Sequence, residues 1–406
     1  MILTKKKGYG MKEDYNRQYD ERELRALLRE QVQEMDDVSR EEENYQRDPR
    51  RAARQETAAT KHTKKKKHTG IKVLACIILF LGVTLGVLIG TKPGRKAIYT
   101  VAGNYIFREV ERDDDATNFM NEHNKGEIVG KREEGVQNYL LFGLEEINGG
   151  GRSDTMMIAS VNMNNGTIKL TSLMRDSYVE IPGWKSTKLN AAYSHGGVKS
   201  LVDTIESNYK IHIDGYASVN FESFEKIVDQ MGGVTIKLSA KEANYLNRTN
   251  YISNPEYRNV VEGVNHLNGN QLLGYCRVRK VATLGGEDGE KIRTDSDYGR
   301  TVRNRRAMQA LFDKFKSLNM FKMLTTANDC MGYVTTSLTK EQIRDIIEVI
   351  VENKVDTVEQ FRLPVDGMFK DPVKYNGTTY PLVYDWDKNI AELYKFIYGE
   401  EKTTAQ

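Results

Sequence analysis

An uncharged apolar run, VLACIILFLGVTLGVLIG at residues 73–90, constrains this chain more than any other feature. As a helix it is long enough to cross about 30 Å of hydrocarbon. A core helix of this length would keep one polar face, and this run has none. A cleaved leader would be shorter, would sit nearer the start and would end in an A-x-A exit. The reading is a single transmembrane helix at 71–91. Gly82 and Gly86 give it a small-xxx-small spacing, a weak sign of helix pairing.

Flanking charge orients the helix. Lys61, Lys64 to Lys67 and Lys72 precede it, with Arg50, Arg51 and Arg54 further off, whereas only Lys92, Arg95 and Lys96 follow closely. The excess of cations predicts a cytoplasmic N-terminal side and an extracellular domain beyond residue 92. The same lysines suit anionic lipid headgroups, or simply set topology. Residues 1–70 hold too little apolar surface to offset chain entropy and read as a disordered cytoplasmic tail. One marginal helix through Leu24, Leu27, Leu28, Val32 and Met35 is the exception. A net charge of +3 argues against a dedicated nucleic-acid binder. Three cysteines without a CxxC exclude a disulfide scaffold and give no zinc motif. A Cys276–Cys330 pair stays open.

Residues 92–135 read as an extracellular stalk, and 136–399 as an α/β domain. Strands are predicted at 139–143, 155–161 and 167–173, the last two joined by an Asn164–Asn165–Gly166 hairpin. A helix at 197–208 has Val198, Leu201, Val202 and Ile205 on one face. It is followed by a strand at 216–220, a helix at 221–231 ended by Gly232–Gly233, and a strand at 234–238. A short helix at 268–273 is expected to lead into a strand at 275–279. Long helices are expected at 300–318 and 340–351. Alternating elements with an early hairpin predict a mixed sheet.

No GxSxG, HExxH or Walker-type loop occurs, and His123, His195, His212 and His266 show no metal-ligand spacing. Arginine and carboxylate dominate instead. Arg152-Ser153-Asp154-Thr155 precedes a strand, and Arg175-Asp176 follows one. Arg277 and Arg279 would share one face of the strand at 275–279. Asp297-Tyr298-Gly299-Arg300, with Arg303, opens a helix, where residues three apart share a side. A cation at a helix N-terminus opposes the macrodipole unless an anion is held there. Several arginine forks at element ends suit a phosphate or pyrophosphate, and Asp154 beside them suits Mg²⁺. Any one cluster is equally compatible with a surface ion pair; four at the ends of elements in one domain favour a site.

Taken together, LLFGLEE, GRSDTMMIASV, TSLMRDSYVEIPG, KLNAAYSHGG, FEKIVDQMGGV, LNGNQLLGYCRVRK and DYGRTVRNRRAM resemble the LytR–CpsA–Psr family. The resemblance implies a three-layer α/β/α sandwich with a mixed central sheet and an apolar tunnel for lipid. It implies an enzyme that transfers a glycopolymer (teichoic acid, capsule or a related cell-wall glycan) from an undecaprenyl-pyrophosphate carrier to peptidoglycan, with Mg²⁺. Asp154 and Glu145 would hold the metal, although the family's usual residue at Glu145 is aspartate. Arg175 and Asp176 would be catalytic. Lys188, Asn190, Arg277, Arg279, Arg300, Arg303 and Asn304, the last in place of a common glutamine, would bind the head group. The stretch 280–296 is longer than usual and glycine-rich. The expected partners are the lipid-linked glycan, peptidoglycan and the membrane, and no nucleic acid. The competing readings are a polyprenyl-pyrophosphate hydrolase and a non-catalytic envelope regulator that binds polyprenyl phosphates.

Overall fold

The structure, a computed structural model, describes residues 90–147, 150–281 and 296–400. The tail at 1–70, nearly all of the membrane helix expected at 71–91 and the loop around Gly285, Gly286 and Gly289 lie outside these residues. Among the described residues no helix is long and apolar enough to cross a membrane.

The expected stalk region carries α1 (Lys92–Ile106) and α2 (Asp114–His123), each started by a capping side chain, Thr91 and Asp113. Both bury apolar side chains against the α/β domain: Tyr99, Ala102 and Ile106 from α1, Ala116 and Met120 from α2. Strands β1 (Val136–Ile147), β2 (Gly150–Asn162) and β3 (Thr167–Leu173) then run as an antiparallel meander. Its second turn is built by Asn162, whose Oδ1 accepts from the backbone N–H of Asn164 and Asn165, and by Gly166 at a φ of 69°. A short hairpin of β4 (Tyr178–Val179) and β5 (Thr187–Lys188) leads to α3 (Ala191–Tyr209), which is broken by non-helical Gly196 and Gly197. It crosses to β6 (Gly215–Asn220), parallel to β1.

Next come α4 (Phe221–Gln230), β7 (Val234–Leu238), α5 (Ala240–Arg248), β8 (Gly263–Leu267) and α6 (Gly269–Arg277). Strands β7 and β8 form a separate small sheet. The chain continues with α7 (Asp297–Lys316), α8 (Met320–Met331), β9 (Thr335–Thr336), α9 (Lys340–Glu352), β10 (Glu359–Leu363) and, at the end, α10 (Trp386–Tyr398). The main sheet has the order β10-β3-β2-β1-β6-β9 and mixes parallel and antiparallel pairs.

Both sheet faces are covered by helices. Leu140, Phe142, Met156 and Ile158 pack with Val198, Leu201, Val202 and Ile205 of α3 and with Leu393 and Ile397 of α10. On the other face Tyr139 and Val161 meet Ile106 of α1 and Ile343 and Val349 of α9. A third core joins α4, β7, α5, β8 and α6 to Ala307 of α7.

One expected element is overturned: residues 275–279 are not a strand. Helix α6 runs through Arg277 and is opened by a capping box. Asn268 Oδ1 accepts from Gln271 N–H at 2.9 Å, and Gln271 Oε1 accepts from Asn268 N–H at 3.1 Å. Leu272 and Tyr275 are buried against α4 and β7, and Gly269 lies so close to Glu225 that a Cβ would stand 2.1 Å from its carbonyl oxygen. A short apolar run fits strand and helix equally, and here the cap and the third core select helix. The alternation that would have put Arg277 and Arg279 on one sheet face does not exist. Cys276 and Cys330 are free thiols on α6 and α8.

Candidate active site

Strands β1, β3, β6 and β10 all point the same way, so their carboxyl ends share one edge of the sheet. That edge is where open α/β sheets hold ligands. Arg175 follows β3 there, its position fixed by the bond from Met174 N–H to Leu363 O at 3.1 Å. On β2, Leu144 pairs with Ser153 and Gly143 with Thr155, which leaves Asp154 as the extra residue of a β-bulge. A bulge bends the strand and re-aims a side chain, and this one delivers Asp154 to Arg175.

Three guanidinium groups converge on Asp154. Its Oδ2 accepts from Arg175 Nη1 at 2.8 Å, from Arg279 Nη2 at 3.2 Å and from Arg300 Nη1 at 3.5 Å, and Arg300 Nη2 donates to Asp154 O at 2.8 Å. Asp297, the first residue of α7, faces the same groups: Arg300 Nη2 lies 2.9 Å and Arg175 Nε 3.3 Å from its Oδ1. Part of the counter-charge demanded by an arginine at a helix start is thus supplied by the protein itself. Burial works against ionised Asp154, but Arg175, Arg300 and Arg279 outweigh it and hold the carboxyl below its usual range. Burial also opposes charge on Arg175, yet Asp297, Asp154 and Asp176 raise its pKa. Arg300 shifts downward, through burial and then the repulsion of Arg175 and Arg279, against the pull of Asp297 and Asp154.

The other expected residues fall at graded distances from this centre. Asp176 lies 3.7 Å from Arg175 Nε and holds Lys188 Nζ at 2.8 Å. Asn190, the N-cap of α3, donates its backbone N–H to Arg175 O at 3.1 Å. Asn304 donates to Thr155 Oγ1 at 3.0 Å, beside Asp154. Arg277 sits at the rim, 4.8 Å over the Phe221 ring and 3.8 Å from Glu145. Arg152 is exposed.

Arg303 is not brought to the cluster. It is fully buried, paired with Glu242 at 2.9 Å, and donates to Val278 O and Val281 O. A three-residue step along a helix places two side chains on neighbouring rows, and the third core lies under the row that carries Arg303. Asp297, present in the sequence only as part of the DYGR run, is the missed member of the centre. Its signal was the i, i+3 spacing to Arg300. Glu242 gave no local signal.

The chemistry open to this arrangement is anion binding with charge stabilisation. Burial pushes the Cys276 thiol up to about 12 and Cys330 to about 11, so neither supplies a thiolate. The carboxylate donor set suits a hard cation: Asp154 Oδ1 is buried and accepts no hydrogen bond from the described residues, and Glu145 is partly exposed nearby on the paired strand.

Comparison with known proteins places this geometry. The profile of the LytR_cpsA_psr family matches residues 104–390. A Bacillus anthracis protein named polyisoprenyl-teichoic acid–peptidoglycan teichoic acid transferase TagU is 32% identical over 305 residues, covering 73% of this chain and 88% of that protein. TagV of Bacillus subtilis, named for the same transfer, is 26% identical over 305 residues and covers 71% of this chain and 70% of its own length. Among solved structures, TagT bound to LIIa-WTA superposes with a TM-score of 0.52 at 24% identity, over 67% of this chain and 96% of the other. Crystalline B. subtilis TagV gives 0.51 at 22% identity, over 66% and 98%. These likenesses carry the fold: a mixed α/β domain around a central mixed sheet. With the family profile spanning most of the α/β domain, the chain belongs to the LytR–CpsA–Psr family.

Proposed function

We propose that this chain transfers a glycopolymer of the teichoic acid, capsule or related cell-wall type from an undecaprenyl-pyrophosphate carrier to peptidoglycan. The protein is an enzyme of the transferase class, as its curated relatives are by name. The observation that carries the reading is the convergence of Arg175, Arg279 and Arg300 on Asp154 at the carboxyl edge of the sheet.

In this reading the pyrophosphate lies against Arg279 and Arg277, both partly exposed, with Arg175 and Arg300 behind. An acceptor hydroxyl attacks the phosphorus on the glycan side. The new P–O bond forms as the P–O–P bridge breaks, and polyprenyl phosphate leaves with the bond's electron pair. Fixed guanidinium groups meet the charge as it grows, a contribution of about 3–4 kcal/mol for a single well-placed donor. Asp154, held at low pKa by three arginines, is a weak base. Asp176, whose close partner is the Lys188 ammonium at 2.8 Å, is assigned the acceptor proton. Asp154 and Glu145 would hold Mg²⁺, which when bound neutralises pyrophosphate oxygens. The apolar run at 71–91 would anchor the domain outside the cell, beside its lipid-bound donor, and raise the donor's effective concentration.

The test is to incubate purified protein with lipid-linked glycan, Mg²⁺ and peptidoglycan. Glycan covalently attached to peptidoglycan, and lost in Arg175→Ala, is the expected outcome. Free glycan without attachment would make the protein a hydrolase; binding without turnover would make it a regulator.

A further inference from the structure

At the opposite edge of the sheet the fold assembles a second polar centre. His123 ends α2, Glu206 lies in the last turn of α3, and His212 sits in the link to β6. Their ligand atoms all lie within 4.8 Å of one another. Gly215 pairs with Tyr139 at this end of β1, and the stretch of β1 from Tyr139 to Glu145 separates the two centres by about 20 Å, at about 3.3 Å per residue.

Glu206 and His212 are buried to 1% and 0% exposure. His123 Nε2 lies 2.9 Å from Glu206 Oε1, and His212 Nδ1 3.0 Å from the same oxygen. The second contact is a close approach and not an aligned hydrogen bond: the oxygen lies off the axis of His212 Nδ1, which has no hydrogen-bond partner among the described residues. Glu206 Oε1 also accepts from Ile213 N–H at 2.7 Å. On the other side of the ring, Asn124 Nδ2 donates to Asp214 O at 3.0 Å, which turns its Oδ1 toward His212 Nε2 at 3.2 Å. A carbonyl can only accept, so Nε2 is the ring nitrogen that donates here, and Nδ1 is left for another partner. Two imidazoles and a buried carboxylate gathered this closely present a donor set that one cation could share.

We propose that His123, Glu206 and His212 form a site for a divalent ion of the Zn²⁺ class. Two imidazoles and one carboxylate are a recurrent zinc set with a fourth position open. At metal–ligand lengths of about 2.0–2.1 Å, tetrahedral ligand atoms stand about 3.3 Å apart; each imidazole needs to move from the Glu206 oxygen by only a few tenths of an ångström, and the two imidazole nitrogens lie within 4.8 Å. Asn124 already supplies the outer hydrogen bond that fixes the His212 tautomer. The ion would tie α2 to α3 and to the start of β6.

The experiment uses untagged full-length protein in detergent, stripped by chelator and titrated with Zn²⁺ against a chromophoric competitor, with Co²⁺ as spectroscopic probe. The expected result is one Zn²⁺ per chain, a raised melting temperature and the visible absorption of tetrahedral Co²⁺. His123→Gln and Glu206→Gln are each expected to weaken binding by about tenfold or more. Asp154→Asn, at the other edge of the sheet, should leave the stoichiometry unchanged. No retained Zn²⁺ and no melting shift would overturn the proposal. Undiminished uptake by both variants, or loss of the ion in Asp154→Asn, would place it elsewhere and overturn it too.

Discussion

Replacing Arg303 with alanine separates a structural arginine from a ligand-binding one. The side chain is wholly buried, its Nε lies 2.9 Å from Glu242 Oε1, and its terminal nitrogens hold Val278 O at 3.1 Å and Val281 O at 2.7 Å. Removing one partner of a buried ion pair costs about 3–5 kcal/mol. Each orphaned carbonyl adds at most about 1–3 kcal/mol where water cannot reach it. Glu242 keeps two bonds on its other oxygen, from Ser239 N–H and Ser239 Oγ, both at 3.0 Å, which limits the loss. The net expectation is about 3–5 kcal/mol of destabilisation. At about 2–4 °C per kcal/mol for a domain of 150–250 residues, that is a melting drop of roughly 6–20 °C. Arg279→Ala is the control, since its side chain is 38% exposed and it should melt close to wild type. The assay is thermal and urea unfolding of both variants beside glycan transfer. An Arg303→Ala protein that melts like wild type yet has lost transfer would refute the reasoning and return Arg303 to the pyrophosphate.

Three further expectations follow from the geometry. Arg175→Lys keeps the charge but loses the fork that reaches both Asp154 and Asp297, so transfer should fall roughly 10²-fold while the melting temperature holds; unchanged turnover would remove Arg175 from the site. Glu352 is held below its usual pKa first by its hydrogen bond from Arg95 and next by that from Tyr99, so its folded value is depressed. Its contribution to fixing α1 is therefore present above the unfolded carboxyl pKa of about 4.3 and is lost as pH falls through the lower folded value. Wild type should out-melt Glu352→Gln at pH 6 and converge with it toward pH 3, and a gap that widens on acidification would contradict the assignment. Finally, with both thiols pushed upward in pKa by burial, brief iodoacetamide treatment of native protein should label Cys276 and Cys330 poorly and leave transfer intact. Rapid inactivation would point to a cysteine role that the geometry denies.

Much of the fold was legible because it is written in short-range pattern. The hairpin at Asn162–Gly166 is local turn chemistry, and the buried face of α3 is a 3.6-residue period that any helix must respect. The same holds for Arg175, which follows the end of β3 and so marks the edge on which it acts. The residues at 275–279 were ambiguous because an apolar run of that length suits either state, and the decision lay in a third core that no local window contains.

The sequence alone determined the alternation of elements, the apolar run before the domain and the supply of guanidinium and carboxylate groups at element ends. It could not assign those groups to partners, since helical spacing fixes which row a side chain occupies and not what lies beneath that row. Arg300 and Arg303 illustrate this: three residues apart on one helix, one meets Asp154 and the other is sealed against Glu242. A bulge decided that Asp154 faces the arginines, and chain crossing decided that His123 meets Glu206 across 83 residues of sequence. Both outcomes are long-range contacts, set by how the cores pack and by the need to give buried charge a partner, and only the closed tertiary structure specifies them.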